Sequence, residues 1–202
     1  MPLALVSDIH GSDDAFAAVV SELEERGIER AVCLGDAVQG GDQPREVLDR
    51  LAALGWPVIL GNADAFLLEV DESSPEPITE AQLAKREWTL AQLDESHLQQ
   101  IRSFAPTLDV ELDDGFTLRA FHGSPRSYDD LIFPHTPDGE VEHLLGGSGV
   151  DVLAGGHTHM QWTRYVDGAL FVNPGPVLED RAYAIVTGTA VEFRRAAWPT
   201  VF

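Results

Sequence analysis

Residues 3–11 read LALVSDIHG, an apolar run that gives way to aspartate, histidine and glycine. The four residues Leu3–Val6 are typical of a buried β-strand. Beyond them, apolar residues recur at intervals of three and four as far as Gly27, which predicts an amphipathic helix that we expect Asp13 or Asp14 to cap. The segment therefore predicts a strand, a polar loop and a helix, in that order.

The chain then repeats this alternation of strand and helix. Ala31–Leu34 is predicted as a second strand, a helix is expected from Pro44 to about Gly55, and Val58–Leu60 is predicted as a third strand. Proline suits the first turn of a helix, where its missing N–H would have no partner, and glycine suits the end. Strands that alternate with helices predict a parallel sheet with right-handed crossovers.

An acidic segment at residues 69–80 is expected to be a solvated connector, and a helical pattern follows over Thr79–Phe104. We expect His97, which lies in this pattern, at the surface. The apolar residues expected in the core of this region are Leu83, Trp88, Leu90, Leu93, Leu98 and Ile101.

Three predicted hairpins make up much of the second half of the chain. Each consists of two short runs of apolar character that flank a turn rich in aspartate or glycine. The paired runs are Leu108–Leu112 with Phe116–Phe121, Arg164–Val166 with Ala169–Val172, and Tyr183–Val186 with Val191–Phe193.

Short polar motifs follow the predicted strands. Ligands bind in the crevice at the carboxyl ends of the strands in open parallel sheets, so this placement predicts a site. Side chains at positions i and i+2 of an extended segment share a face, and we therefore expect Asp8 to converge with His10, and His157 with His159. The motifs are Asp8-Ile9-His10-Gly11, Gly35-Asp36, Gly61-Asn62, His122-Gly123 and Gly156-His157-Thr158-His159.

The residue types in these motifs favour a metal site. They offer four histidines, two aspartates and one asparagine, and a borderline divalent ion accepts imidazole nitrogen and carboxylate oxygen together. Two ions that share a bridging carboxylate would use all seven residues. Such a pair can clamp the oxygens of a phosphoryl group during in-line displacement. Manganese, iron, zinc and nickel all suit these ligands, and we favour manganese.

Taken in order, the motifs resemble those of the calcineurin-like metallophosphoesterase superfamily. The segments His122-Gly123-Ser124-Pro125-Arg126 and Asn173-Pro174-Gly175 are similar to those of its small bacterial branch, the YfcE-like phosphodiesterases. The resemblance implies an α/β fold, a four-layer α/β/β/α sandwich of two mixed sheets flanked by helices. With a length of 202 residues, we expect one domain over residues 1–202.

The resemblance also implies a role for each motif residue. Two divalent metal ions would be bound, with a bridging hydroxide as the nucleophile and Asp36, Asn62 and His122 as catalytic residues. The implied ligands are Asp8, His10 and His159 for the first metal, Asp36 as the bridge, and Asn62, His122 and His157 for the second. Arg126 and His135 are expected to contact the substrate, and Asn173 is either a turn residue or a support for the ligands.

Two departures from the family pattern narrow the expected function. Ala63 stands where monoester and protein phosphatases of the family have a histidine that helps the leaving group, and residues 35–41 lack the aspartate that orients that histidine. Both departures argue against a protein phosphatase and favour small phosphodiesters with good leaving groups, with His135 as one candidate for a substitute acid. The alternatives are a small-molecule phosphomonoesterase, a nucleotide hydrolase, or a non-catalytic scaffold of the same fold.

The charge of the chain restricts its partners. Thirteen Lys and Arg against 34 Asp and Glu give a net charge of −21, which argues against binding nucleic-acid polymers or anionic membranes. No stretch is apolar enough to span a membrane, no secretory signal pattern begins the chain, and the single Cys33 fits a reducing compartment. We therefore expect a cytoplasmic protein with a compact phosphate-ester substrate, and the sequence leaves a homo-oligomer open.

Overall fold

A computed structural model describes residues 1–70 and 78–198 of the chain and arranges nine strands of these residues in two sheets. The strands are β1 (Leu3–Val6), β2 (Arg30–Cys33), β3 (Leu108–Glu111), β4 (Thr117–Ala120), β5 (Val152–Ala154), β6 (Gln161–Val166), β7 (Ala169–Pro174), β8 (Ala182–Thr187) and β9 (Ala190–Arg195). The helices are α1 (Asp13–Glu25), α2 (Pro44–Leu54), α3 (Asn62–Leu68), α4 (Glu80–Gln92), α5 (Glu95–Arg102), α6 (Asp138–Leu145) and α7 (Val177–Asp180). Within the described residues, no helix is long and apolar enough to cross a membrane.

Both sheets are mixed. The first has the order β2-β1-β8-β9, in which β1 and β2 are parallel and the other neighbours antiparallel. The second has the order β3-β4-β5-β7-β6, in which β4, β5 and β7 are parallel and each edge strand is antiparallel to its neighbour. The three expected hairpins are present as β3–β4, β6–β7 and β8–β9.

Strand β1 shows how the layers pack. Leu3 and Leu5 belong to an apolar cluster that joins the two sheets, whereas Ala4 and Val6 belong to a second cluster with α1 and α2. A third cluster packs α6 against the outer face of the second sheet. Side chains alternate between the faces of a strand, so a fully apolar strand can serve two cores at once. The predicted fold, two mixed sheets flanked by helices, is therefore confirmed.

Two predictions about the first half need correction. Val58–Leu60 does not form a full strand, because Val58 and Ile59 each make only one isolated bridge, to Cys33 and Ala105. Pro57, which has no N–H, precedes the segment and helix α3 follows closely, so little room remains for a ladder. The cap of α1 is Ser12 rather than either predicted aspartate.

The helical pattern over Thr79–Phe104 contains two helices rather than one. Asp94 separates α4 from α5, and its carboxylate accepts hydrogen bonds from the backbone N–H groups of Ser96 and His97. His97 is buried, contrary to expectation, because its ring accepts from the Asp94 N–H and its other nitrogen lies 3.2 Å from an Asp49 carboxylate oxygen. The His97 side chain therefore links the start of α5 to α2 through its contact with Asp49.

The predicted core of that region is only partly present. Leu83 and Trp88 are 38% and 44% exposed, which contradicts the prediction, whereas Ile101 is fully buried. Leu90, Leu93 and Leu98 are half-buried against the cluster that contains Ala4, Val6 and residues of α1 and α2. Most of the predicted acidic connector, residues 71–77, lies outside the described residues.

We expect Leu5→Ala to lower the free energy of unfolding by about 2–5 kcal/mol, because Leu5 is fully buried between the sheets and its loss leaves a cavity. Leu83→Ala is the matched control and should change the same quantity by about 0.5 kcal/mol or less. Urea unfolding followed by circular dichroism measures both. Equal losses in the two variants would contradict the assignment of the core.

Candidate metal centre

Six of the seven predicted ligands form two groups in the structure. Ligand atoms of the first group all lie within 4.8 Å of one another, and the same holds for the second. The first group consists of Asp8, His10 and His159, and the second of Asp36, His122 and His157. Each triad brings together residues from loops that follow strands of both sheets, so the site lies where the carboxyl ends of the two sheets meet.

Asp36 lies between the two groups. Its Oδ2 atom is 3.7 Å from Nε2 of His10 and 3.4 Å from Nε2 of His122. Asn62, the seventh predicted ligand, places Oδ1 3.1 Å from the same His122 nitrogen and so joins the second group. A single carboxylate is therefore in reach of both groups.

The loops that carry these residues are not extended, as the sequence argument assumed. Asp8, His10, Asp36, His157 and His159 all have positive φ, from 49° to 68°. The left-handed backbone turns neighbouring side chains in different directions, and it places His157 and His159 in different groups rather than at one spot. Such conformations are strained for residues other than glycine, although aspartate and histidine tolerate them better than most, and they cluster at functional sites.

Backbone hydrogen bonds between the first two loops hold this geometry. The N–H of Asp8 donates to the carbonyl of Gly35 at 3.0 Å, and the N–H of His10 donates to that of Asp36 at 2.9 Å. The left-handed positions Asp8, His10 and Asp36 are thus joined by bonds between the first two loops, which offset the local strain.

Two glycines allow the loops to approach so closely. A Cβ atom on Gly61 would lie 2.1 Å from Oδ1 of Asp36, and one on Gly156 would lie 2.0 Å from the Ser7 hydroxyl. Both distances are far below van der Waals contact, so any larger residue would push a ligand loop out of place.

Contacts of Nδ1, the ring nitrogen that faces away from the site, fix the orientation of three histidine rings. Nδ1 of His10 lies 2.8 Å from the carbonyl of Gln39, and Nδ1 of His122 lies 2.7 Å from the carbonyl of Leu34. A carbonyl can only accept, so Nδ1 carries the proton and Nε2 is left to bind in the site. Nδ1 of His159 lies 3.4 Å from a Glu179 carboxylate oxygen, which favours the same tautomer.

Several features of the site fit divalent ions. The Asp8 carboxylate is fully buried, and neither of its oxygens has a hydrogen-bond partner among the described residues. Nε2 of His10 lies 3.2 Å from Nε2 of His159, so two possible ligand nitrogens meet beside that carboxylate. Buried acceptors without donors are costly unless a cation lies between them. Imidazole with carboxylate is a donor set that suits manganese, iron, zinc or nickel.

The charges of the site shift the pKa values of its histidines. Burial by itself lowers the pKa of His122, but the Asp36 carboxylate outweighs this effect and raises it to about 9. The Asp8 carboxylate, whose Oδ1 lies 3.4 Å from Nε2 of His159, raises the pKa of His159 to about 9. His157 differs, because burial and the neighbouring His122 lower its pKa. Without metal, two ring nitrogens therefore hold protons at neutral pH at positions where ions would bind.

Arg126 and His135, the predicted substrate contacts, are exposed. The ring of His135 stacks on Phe133 with centroids 5.4 Å apart. No hydrogen bond joins either side chain to a predicted ligand in the part of the chain that the structure describes. Asn173 is both a turn residue and a support for the ligand loop. Its side-chain amide donates to the Gly156 carbonyl at 2.7 Å, and its side-chain oxygen accepts from the N–H of Gly175.

Sequence reasoning missed Asp64 and Glu179, the carboxylate beside Nδ1 of His159. Asp64 is fully buried beside Asp36, and its place three residues after Gly61, at the start of α3, was the available signal for a capping carboxylate. Glu179 lies on the short helix α7, whose first N–H groups donate to the Ser7 and Asp8 carbonyls. No sequence pattern pointed to that contact.

Comparison with known proteins places this geometry in a family. The sequence model of the calcineurin-like phosphoesterase superfamily domain matches residues 1–194. The uncharacterized protein MJ0912 of Methanocaldococcus jannaschii is 26% identical over 191 residues, covering 93% of this chain and 75% of that protein.

Solved structures share the fold. The hypothetical protein PH1004 of Pyrococcus horikoshii superposes with a TM-score of 0.86 at 20% identity, over 98% of this chain and 89% of that one. A metallophosphoesterase of Sphaerobacter thermophilus gives 0.78 at 24% identity, with the same coverage. The YfcE phosphoesterase of E. coli, whose branch the sequence resembles, gives 0.55 at 20% identity over 98% and 100% of the two chains. The predicted likeness to YfcE therefore holds for the fold.

We expect the affinity of the metal-free protein for Mn²⁺ to rise between pH 6.5 and pH 8.5. The pKa values of His122 and His159 are raised to about 9, so each ion must displace protons, and fewer are bound as the pH approaches 9. Each displaced proton contributes about a tenfold change in association constant per pH unit. Titration calorimetry in buffers with different ionisation enthalpies measures the affinity and the protons released; an affinity independent of pH would contradict the shifts.

Proposed function

Because the chain belongs to the calcineurin-like phosphoesterase superfamily, we propose that it is a divalent-metal-dependent phosphoesterase that hydrolyses small phosphodiesters at a dinuclear centre. The observation that carries the proposal is the position of Asp36, whose Oδ2 atom lies within 3.7 Å of histidines of both ligand groups. A carboxylate shared by two groups suits two adjacent ions.

In this proposal the ions, when bound, supply Lewis acidity toward phosphoryl oxygens and lower the pKa of water. Asp8, His10 and His159 would hold one ion, Asn62, His122 and His157 would hold the other, and Asp36 lies in reach of both groups. The buried ring of His122, fixed by the Leu34 carbonyl, keeps its binding nitrogen beside Asn62 and Asp36. Arg126 and the loop that carries His135 contact the substrate.

The preference for diesters rests on Ala63. This residue has no side chain that could protonate a leaving group, and its backbone N–H donates instead to Oδ1 of Asp36 at 2.8 Å. A site without a leaving-group acid favours substrates whose leaving group departs unprotonated, with a low pKa. The alternatives, a phosphomonoesterase or a nucleotide hydrolase for small molecules, share the same centre and differ only in substrate.

The size of the substrate follows from charge. When the histidine ligands are neutral, Asp8 and Asp36 are the only charged ligands, and the positive charge of two dications exceeds their negative charge. Bound cations dominate the electric field within a site. The rest of the surface contributes to a net charge of −21. A compact anion can reach the centre, whereas a long polyanion meets repulsion along its whole length.

We expect the manganese-loaded protein to hydrolyse bis-p-nitrophenyl phosphate with a kcat/KM at least about tenfold above that for p-nitrophenyl phosphate. The diester carries a single negative charge, which together with one hydroxide balances the net charge of two dications and the two aspartates, and because both substrates release the same leaving group the comparison does not depend on a leaving-group acid. Release of nitrophenolate measures both rates. A preference for the monoester would contradict the diesterase assignment and favour the phosphomonoesterase. No metal-dependent turnover of either substrate, together with no uptake of metal, would instead favour the scaffold.

Asp36→Asn removes the charge of the shared carboxylate and should lower kcat/KM for the diester by more than about 100-fold. Loss of a residue that only hydrogen-bonds to a metal ligand typically costs about 10- to 100-fold, and loss of a ligand itself should cost more. Asp109→Asn is the matched control. Asp109 is an exposed carboxylate paired with Arg119 on the edge hairpin, and its replacement should leave the rate within about twofold of the unaltered protein. Similar rates for the two variants would refute the role of Asp36.

Cleavage of a dinucleotide should exceed cleavage of duplex DNA per phosphodiester at physiological salt, although both have the same leaving group. The reason is repulsion between the acidic surface and the polymer, so the difference should narrow as salt rises and the Debye length falls from about 8 Å. The rates of product formation from the two substrates, measured at about 0.05, 0.15 and 0.5 M salt to bracket the physiological ionic strength, test the expected salt dependence. Efficient cleavage of DNA at 0.15 M salt would overturn the size argument.

A further inference from the structure

We infer that Asp64 is a positioning residue that sets the distance between the shared carboxylate Asp36 and the ligand Asn62. The inference rests on the proposed function, because positioning matters only if these two residues bind metal. Asp64 lies on helix α3, two residues after Asn62, and is fully buried, with a relative accessibility of 0%.

The carboxylate of Asp64 accepts hydrogen bonds from two separate loops. From the loop after β2, the N–H of Ala37 donates to both oxygens at 3.1 and 3.2 Å, and the N–H of Val38 donates to Oδ1 at 3.0 Å. From its own loop, the N–H of Gly61 donates to Oδ2 at 3.3 Å. Asp64 therefore ties the residues that follow Asp36 to the residue that precedes Asn62.

A second bond runs in the opposite direction. The N–H of Ala63, between Asn62 and Asp64, donates to Oδ1 of Asp36 at 2.8 Å. The two loops thus exchange bonds, each carboxylate accepting from the backbone of the other loop. This exchange leaves Oδ2 of Asp36 directed to the histidines, because Oδ1 is already bonded.

The bonding requires a carboxylate at position 64. A carboxylate only accepts hydrogen bonds, whereas the amide of asparagine presents two donors on one of its ends. In Asp64→Asn the oxygen can still accept from Ala37 and Val38, but the amide nitrogen then faces the N–H of Gly61, and donor meets donor. The variant keeps the shape of the side chain and breaks the tie to the Asn62 loop.

Calorimetric titration of MnCl2 into metal-free protein tests this placement directly. We expect Asp64→Asn to weaken Mn²⁺ binding by about 10- to 100-fold, the range typical of outer-shell partners of metal ligands. For the loaded enzyme, kcat for bis-p-nitrophenyl phosphate should fall by a similar factor while KM changes little, because the substrate contacts are intact.

Asp151→Asn is the matched control. Asp151 also accepts from a backbone N–H, that of Thr117 at 2.8 Å, but it lies where β4 and β5 begin, at the opposite end of the sheet from the ligands. This variant should bind Mn²⁺ as the unaltered protein does. Circular dichroism and thermal melting of the metal-free proteins establish that each variant is folded.

The outcomes separate the inference from the function on which it rests. If the unaltered protein takes up no Mn²⁺, the proposed function fails. If it binds Mn²⁺ and folded Asp64→Asn binds equally well, the positioning role is overturned. Asp64→Ser, smaller and with one accepting hydroxyl, is measured as well; loss of the metal-free fold in both variants would overturn the inference too, because Asp64 would then be structural.

Discussion

The site depends on the placement of a single residue, Asp36. Its backbone is left-handed, with φ of 51°, its carbonyl accepts from His10, and its two carboxylate oxygens have different partners. Oδ1 is held by the Ala63 N–H, and Oδ2 lies between histidines of the two groups. One side chain can serve both groups only because its backbone and one of its oxygens are already fixed, so that the other oxygen has a single direction available.

This arrangement makes the packing of the two sheets a condition for the site. The loops that carry Asp8 and Asp36 follow strands of the first sheet, whereas those that carry His122 and His157 follow strands of the second. Apolar side chains such as Leu5 hold the sheets together, and the glycines at the site let backbones meet there. A shift between the sheets would separate ligand from ligand, so the apolar core and the polar site are parts of one structural constraint.

The sequence predicts the strands, the hairpins and the motifs well because these depend on local patterns. It fails where the outcome depends on residues distant in the chain. The periodicity of α4 indicates an apolar face, but not whether another element covers it, and Leu83 and Trp88 are largely exposed. The turn that separates His157 from His159 likewise depends on distant residues, since the N–H of Gly156 donates to the His122 carbonyl and the hydroxyl of Thr158 to the Ile132 carbonyl. The burial of His97 depends on Asp49 from another helix.

The acidity of the chain has two opposite consequences for a metal-dependent site. A net charge of −21 produces a negative potential that raises the local concentration of divalent cations, and the same potential lowers that of polyanions. In the metal-free site, protons on His122 and His159 occupy positions suited to ions, since the pKa of each is raised to about 9 by a nearby aspartate. In the proposed function, exchange of those protons for dications raises the charge of the centre, so that the loaded site attracts a small anion. In that proposal the acidic surface favours loading of the site with cations and, once the site is loaded, favours compact substrates over long polyanions.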